Sequence, residues 1–312
     1  MLAISTSFIS QSIADGGRLL DVIADYGIQR VELDCRITKT QFQQIKAGLK
    51  QTPVQVGSLH NYCPFPALKP NVPPGGDYFE LASSDRVERS LAVDWTTRTI
   101  ENANDLGAEL VVLHCGAVDM KPNHRHLYAQ YRDEPENEQR LDDLVSLELE
   151  QRRRHHMPHL DAIRFSLERL LNVAQTYGVT LGLENRFHYY EIPDSEEFSK
   201  LFAEFEGAPI GYWHDTGHAH AQQVLRVVSQ ADLLTTHGDR LVGIHLHDAV
   251  GLNDHQAPGK GEIDFKILKP YLKAGPPVVI ELAPGTGKSD VRQAVSFAKE
   301  LIDRSDFLLD LT

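Results

Sequence analysis

Histidines cluster where an apolar stretch of the chain gives way to polar residues. Within Leu241–Phe265, His245 and His247 are separated by one apolar residue, and His255 follows shortly after. Alternate positions of a β-strand share a face, so the first two imidazoles are expected on one side of a strand end. Neutral imidazole is the commonest side-chain metal ligand in proteins. The segment therefore indicates a metal site or, as the alternative, a solvated histidine-rich loop.

Ionisable residues end further apolar stretches in the same way. Each has an ordinary explanation when taken singly: a loop histidine for His60, a buried hydrogen-bonded group for His114 or Glu184, and a helix N-cap for Asp215. Taken together, so many ionisable groups would be costly to bury without a compensating cation. A divalent metal explains them most economically. The full set is His60, His114, Glu184, Asp215, His218, His245, His255 and Glu281.

The elements that must position these residues alternate between strand and helix. Eight apolar stretches are predicted as strands, and helical patterns with N-cap residues such as Asp194 lie between them. The predicted strands are Leu2–Phe8, Arg30–Asp34, Val54–Leu59, Leu110–Leu113, Val179–Leu183, Ile210–Trp213, Leu241–Leu246 and Val278–Ile280.

This alternation predicts an α/β fold, a (β/α)₈ TIM barrel, in which active sites lie at the carboxyl ends of the strands. No shift in composition marks a boundary, so residues 1–312 are expected to form a single domain. An open doubly wound sheet is the alternative, but it would normally bind a ligand at one switch point. Here ionisable residues that could bind a metal end strands three to eight in succession.

Two long connections follow strands three and four. The first is proline-rich, and the second, from Gly116 to about His156, is polar with only partial helical spacing of its leucines. Long loops at this end of a barrel commonly cover the pocket and set substrate choice. The run Arg152–His156 follows acidic residues and is predicted to be a solvated helix face.

Composition excludes several classes of partner. The 312 residues are 41% hydrophobic and 24% charged, as in soluble globular proteins, and the net charge is −13. Such a surface should repel nucleic acid and anionic membranes. No apolar run approaches the roughly 20 residues of a membrane span. Three cysteines without a CxxC pair and a start without a basic leader predict a reduced, cytoplasmic protein.

Several motifs resemble those of the xylose isomerase-like barrel superfamily. They are Val-Leu-His-Cys-Gly at His114, Gly-Leu-Glu-Asn-Arg at Glu184, His-Asp-Thr-Gly-His-Ala at Asp215, Gly-Ile-His-Leu-His-Asp at His245 with its Pro-Gly-Lys-Gly sequel, and Val-Ile-Glu at Glu281. The superfamily contains sugar and sugar-phosphate isomerases and epimerases together with zinc-dependent apurinic endonucleases. The motifs are specific for the superfamily and much less specific for one reaction.

The resemblance implies roles for individual residues. The ketose 3-epimerase pattern makes one divalent metal (Zn, Mn, Mg or Co) the cofactor, with Arg186 and His218 beside the substrate. The expected metal ligands are Glu184, Asp215, His245 and Glu281.

The endonuclease pattern implies more cations. It adds His60, His114, His218 and His255 and spreads the ligands over three zinc ions. It also expects an aspartate two residues before His255, where this chain has Asn253. We therefore predict one tight metal, with a weaker second at His60, His114 and Glu184 as the alternative, and substrate contacts by His60, His114 and His255.

The function that the resemblance implies is a metal-dependent isomerase or epimerase of a sugar, sugar phosphate or keto-polyol. Glu184 and Glu281 would transfer protons on either side of a substrate carbon through an enediolate, and His218 would donate to the oxyanion. The alternatives are a zinc-dependent phosphodiester hydrolase and a metal-binding barrel without activity. A small carbohydrate-like substrate is the expected partner, and a homo-oligomer is compatible with the sequence.

The sequence does not predict a P-loop, but a weaker contact between backbone N–H groups and a substrate phosphate is expected. The run Gly285–Ser289 resembles a P-loop, but Leu282 stands where the first glycine of that motif is required. Loops after strands seven and eight of barrels nevertheless often bind a substrate phosphate through backbone N–H groups. We expect such a contact if the substrate is phosphorylated.

Overall fold

Eight parallel strands close into a barrel in the computed structural model, which describes residues 1–306. The first strand pairs with both the second and the last, and this pairing closes the ring. The barrel strands are β1 (Leu2–Ser5), β2 (Arg30–Leu33), β3 (Gln55–His60), β4 (Leu110–Leu113), β5 (Thr180–Glu184), β6 (Ile210–Asp215), β7 (Leu241–Leu246) and β10 (Val278–Ile280). A separate antiparallel hairpin of β8 (Asp248–Val250) and β9 (Asn253–Gln256) follows β7.

Helices connect the strands and surround the barrel. Several helices begin at an N-cap whose side chain accepts a backbone N–H group, among them Asp85 before the third helix, Asp194 in a capping box before the seventh, and Asp215 before the eighth. The helices are α1 (Gly16–Asp25), α2 (Lys39–Gly48), α3 (Arg86–Leu106), α4 (His124–Asp133), α5 (Glu138–His155), α6 (Met157–Tyr177), α7 (Ser195–Glu204), α8 (Thr216–Val224), α9 (Gln230–His237), α10 (Lys269–Leu272) and α11 (Lys288–Asp306).

The predicted TIM barrel is confirmed, with small differences at the ends of elements. The first strand stops at Ser5, because Ser5 caps a 3₁₀ turn over Thr6–Phe8. The last six residues of the predicted domain, 307–312, lie outside the described part of the chain. No helix among residues 1–306 is long and apolar enough to cross a membrane.

Trp213 fills the barrel interior beneath the strand ends. Its side chain is fully buried in a cluster with Ala3, Val112 and Val279, apart from the larger core between strands and helices. A Cβ on Gly243 would lie 2.1 Å from the Trp213 ring, so glycine is required there. The indole ring is 5.0 Å from the His245 ring and forms the floor beneath it.

The polar connection after β4 is more ordered than its sequence indicates. It forms α4 and α5, whose apolar residues build a second small core with Tyr189 and Leu225. The helical spacing was only partly visible because few positions of these helices are apolar. The prediction that Arg152 lies on a solvated helix face is wrong: Arg152 is 1% exposed, whereas Arg153 and Arg154 are exposed.

Candidate metal centre and active site

Four predicted ligands meet at the carboxyl ends of the barrel strands. Glu184 ends β5, Asp215 ends β6, His245 lies in β7 and Glu281 follows β10. One ligand atom from each lies within 4.8 Å of all the others, and all four residues are buried. The Nδ1 atom of His245 is 2.7 Å from Glu184 Oε1, 3.1 Å from Glu281 Oε2 and 3.7 Å from Asp215 Oδ2.

The opposite nitrogen of His245 contacts a residue that sequence reasoning missed. Its Nε2 lies 3.0 Å from Oε1 of Glu32, which is fully buried on β2 and also accepts a 2.8 Å hydrogen bond from Ser58 Oγ. When Nε2–H donates to Glu32, the Nδ1 lone pair faces three carboxylates. That arrangement is repulsive unless a cation lies between them, so the donor set fits a divalent metal. Glu32 was not recognised because nothing distinguished it from other charged residues on short strands.

Neighbouring histidines lower the pKa values of the carboxylates in this cluster. Burial opposes ionisation of Glu184, but His245 and His114 outweigh it and hold the pKa of that carboxyl well below its usual range. Burial likewise opposes ionisation of Asp215, whose pKa is held well below its usual range mainly by His218 and His247. Ionised carboxylates are the form that binds a metal. Burial opposes protonation of His245, but the neighbouring carboxylates outweigh it and raise the pKa of His245 well above its usual range. A metal at Nδ1 would therefore displace a proton.

A second donor set shares Glu184 with the first. The Nε2 atoms of His114 and His60 lie 2.7 and 3.5 Å from Glu184 Oε2. The Nδ1–H of His60 donates to the Asn61 carbonyl, which leaves Nε2 facing the site. A Cβ on Gly76 would lie 2.5 Å from the His114 ring, so the loop after β3 packs directly against this pair. Both histidines therefore lie against Glu184 at the carboxyl ends of the strands, and their contact with substrate or a second cation stays a prediction.

A third donor set brings in Asp254, which the sequence analysis overlooked. Asp254 Oδ1 lies 3.0 Å from His255 Nδ1, and Asp254 Oδ2 lies 3.9 Å from His218 Nε2. Asp254, the residue after Asn253 in β9, thus offers the carboxylate that position 253 lacks, and the number of bound cations stays a prediction. His255 has a left-handed backbone with φ 56°, which is uncommon outside glycine and frequent at functional sites.

Hydrogen bonds to neighbouring backbone and side-chain groups fix the orientation of His218 and Asp215. Asp215 caps α8 through the backbone N–H of His218. His218 Nδ1–H donates to the Asn185 carbonyl at 3.0 Å, so Nε2 faces the site and can donate only when the imidazole is charged. The Asn185 amide holds the Asp215 backbone through bonds of 2.7 and 3.0 Å. His247 Nδ1 accepts the backbone N–H of His255, and its Nε2–H donates to Asp215 Oδ2.

Arg186 reaches the edge of the same centre. Its Nη1 is 3.5 Å from Glu184 Oε2, and its Nη2 is 3.1 Å from Asp77 Oδ2 and 2.8 Å from Glu191 Oε1. The guanidinium is buried among three carboxylates. The structure therefore brings every predicted site residue together at the carboxyl ends of the barrel strands, and neither Asp77 nor Glu191 was anticipated.

The expected phosphate-binding loop after β7 is occupied by a side chain of the protein itself. The carboxylate of Asp248, 1% exposed, accepts the backbone N–H groups of Gly259, Gly261 and Ile263 at 2.9 to 3.1 Å. These groups form the kind of amide cradle that binds anions. Because Asp248 already accepts these N–H groups, the loop after β7 does not offer them to a substrate phosphate. The expected contact from the loop after the last barrel strand stays a prediction.

Comparison with known proteins places this geometry in a family. The family model described as the xylose isomerase-like TIM barrel matches residues 20–301. An uncharacterized protein of Methanocaldococcus jannaschii is 24% identical over 73% of this chain and 67% of its own. An uncharacterized protein of Sinorhizobium fredii is 26% identical over 60% of this chain and 50% of its own, so the match spans half of that relative.

Solved structures share the fold at low identity. An L-ribulose 3-epimerase superposes with a TM-score of 0.71 at 13% identity, covering 99% of this chain and 97% of its own. An E. coli 3-keto-D-glucoside 4-epimerase gives 0.66 at 17% identity, covering 96% and 98%. A D-tagatose 3-epimerase-like protein gives 0.65 at 18% identity, covering 98% of each chain. With the family model matching most of its length, the chain belongs to the xylose isomerase-like TIM barrel family.

Proposed function

We propose that this protein is a divalent-metal-dependent isomerase or epimerase of a sugar, sugar phosphate or keto-polyol. The observation that carries the proposal is the buried set of Glu184, Asp215, His245 and Glu281 with ligand atoms within 4.8 Å of one another. When bound there, a divalent cation would polarise a substrate carbonyl and its neighbouring hydroxyl and so acidify the adjacent C–H bond.

The strand order supports a two-carboxylate proton transfer. In the barrel, β6 and β7 lie between β5 and β10, so Glu184 and Glu281 approach the His245 nitrogen from different sides. One carboxylate can remove a proton from one face of a substrate carbon, and the other can return it from the opposite face. The substrate passes through an enediolate between the two transfers, and His218 Nε2 faces the site from α8.

The loop after β7 favours an unphosphorylated substrate. Asp248 already accepts the three backbone N–H groups that would otherwise bind an anion there. Structural neighbours named as a D-tagatose 3-epimerase-like protein, an L-ribulose 3-epimerase and a 3-keto-D-glucoside 4-epimerase are consistent with this substrate class. A free ketose or keto-polyol is therefore the first substrate to test.

A specific observation supports a second candidate function. Further donor groups lie beside the one on His245, among them Asp254 with His218 and His255, so the site could hold more than one cation, as multi-metal phosphodiester hydrolases do. The net charge of −13 opposes a nucleic-acid substrate.

The test compares both reactions with the same metal-loaded protein. A panel of ketoses and keto-polyols is incubated in deuterium oxide and followed by proton NMR, and an abasic DNA duplex is incubated in parallel. Loss of a C–H signal beside a carbonyl, with an intact duplex, is the expected result. Cleavage of the duplex without any sugar exchange would replace the isomerase by the hydrolase.

A further inference from the structure

Two charged residues lie on the buried face of α5, beside the apolar Leu141 and Val145. Glu148 and Arg152 are one helical turn apart and are 4% and 1% exposed. Glu148 accepts hydrogen bonds from the Tyr189 hydroxyl and from the backbone N–H of Asn123. Both residues therefore contact other segments at the carboxyl end of the barrel. The contacts of Arg152 continue to the active site.

The Arg152 guanidinium joins the loop between β5 and α7 to the first turn of α7. Its Nη1 donates to Asp194 Oδ2 at 2.6 Å, and its Nη2 donates to Glu197 Oε2 at 2.6 Å. Its Nη2 also donates to the backbone carbonyl of Glu191 at 2.8 Å. A buried arginine with this many acceptors fixes their relative positions, because the planar fork leaves little freedom.

Glu191 connects Arg152 to the active site through hydrogen bonds of its own side chain. Its Oε1 accepts Arg186 Nε at 3.2 Å and Nη2 at 2.8 Å, and its Oε2 accepts the backbone N–H of His188 at 2.6 Å. Arg186 in turn lies 3.5 Å from Glu184 Oε2. Arg152 thus holds the main chain of the residue whose side chain holds Arg186.

A second contact ties the same loop to the segment after β4. The backbone N–H of Val118 donates to the Tyr190 carbonyl at 2.9 Å, and that of Ile192 donates to the Gly116 carbonyl at 3.1 Å. The loop is therefore held between the start of the connection after β4 and its last helix, α5. On the α5 side, the buried guanidinium of Arg152 holds this loop.

We propose that Arg152 is a positioning residue that couples α5 to the active site by holding Glu191 and, through it, Arg186. The proposal rests on the proposed function for its kinetic consequence but not for its structural one. This positioning role differs from simple packing. It requires that replacing Arg152 moves the Arg186 side chain and changes turnover through Arg186.

The structural consequence is tested by NMR of arginine side chains, which needs neither metal nor substrate. The Arg186 Nε–H signal is assigned by its loss in Arg186→Lys and compared in Arg152→Met, Arg152→Lys and the exposed control Arg153→Met. We expect it to shift or broaden in Arg152→Met, less so in Arg152→Lys, and not in Arg153→Met. An unchanged signal in folded Arg152→Met overturns the proposal. If Arg152→Met does not fold, an unchanged signal in Arg152→Lys overturns it instead.

The kinetic consequence is tested by a double-mutant cycle on an active sugar. Arg152→Met should lower kcat/KM about 10- to 100-fold, as expected for a residue behind the site. In the Arg186→Met background the same change should have little further effect, since its route to the site is already lost. An equal loss in both backgrounds would make Arg152 a packing residue. If the wild type turns over no sugar, the proposed function fails, and the NMR result alone decides the role of Arg152.

Discussion

His245 Nε2 lies 3.0 Å from Glu32 Oε1, so the imidazole that faces three carboxylates through one nitrogen is held by a fourth through the other. A carboxylate behind a metal-binding histidine fixes its tautomer and raises its basicity. This pair connects β2 with β7 across the barrel interior, and both side chains are fully buried.

Replacing Glu32 should weaken metal binding without removing a ligand. Glu32→Gln preserves shape but removes the negative charge opposite Nε2–H, so we expect metal affinity to fall about 10- to 100-fold. Titration of the apo protein with Co²⁺ measures the change. Glu101→Gln, on the solvent side of α3, is the matched control. Equal affinities for Glu32→Gln and the wild type would remove Glu32 from the metal centre.

The barrel and the strand-end residues were predictable, because each follows from local sequence. Apolar stretches alternate with helical patterns, and His114, Glu184 and Glu281 each follow such a stretch directly. Glu32 and Asp77 could not be predicted in the same way. Their role depends on contacts with His245 and Arg186, which are distant in the chain and meet only in the closed barrel.

Arg152 and Asp248 show a different limit of sequence reasoning. Arg152 lies in a run of basic residues that looks solvated, and only the packing of α5 separates its buried side chain from exposed Arg153. Asp248 follows the His-Leu-His motif and looked unremarkable beside it. Its carboxylate fills an amide cradle formed by residues that come later in the chain.

A methyl group at position 76 should disturb the second donor set. The Cβ of Gly76→Ala would lie 2.5 Å from His114 Nδ1 and 2.8 Å from His60 Cε1, so the loop or the rings must move. Gly75→Ala is a closely matched control, because nothing lies within 4 Å of its added Cβ. We expect sugar turnover to fall in Gly76→Ala and to stay near the wild-type rate in Gly75→Ala. Equal rates would mean that His60 and His114 do not contribute to turnover.

Asp254 should control a separate, weaker cation. It lies between His218 and His255 and contributes no atom to the donor set centred on His245. In a Zn²⁺ titration of the apo protein, we expect Asp254→Asn to lose a weak binding event and to keep the tightest one. Asn253→Ala, one residue earlier and exposed, should leave the isotherm unchanged. A wild-type isotherm for Asp254→Asn would mean that no cation binds at the third set.

Glu184→Gln separates proton transfer from metal binding. The amide retains a carbonyl ligand and the shape of the side chain, but it is not a base. If Glu184 is an acid–base group, exchange of the substrate proton with deuterium should slow about 10²- to 10⁴-fold. Metal content is measured on the same preparation. A variant that retains metal and turns over at the wild-type rate would show that Glu184 is only a ligand.

The metal content of the purified protein tests the central claim most directly. Protein prepared without chelator is analysed for elements, alongside His245→Ala and the exposed-histidine control His155→Ala. We predict at least one divalent metal per chain in the wild type and in His155→Ala, and a sharp loss in folded His245→Ala. A wild-type protein that contains no metal, and whose melting temperature and activity do not respond to added Zn²⁺, Mn²⁺, Mg²⁺ or Co²⁺, would contradict the account.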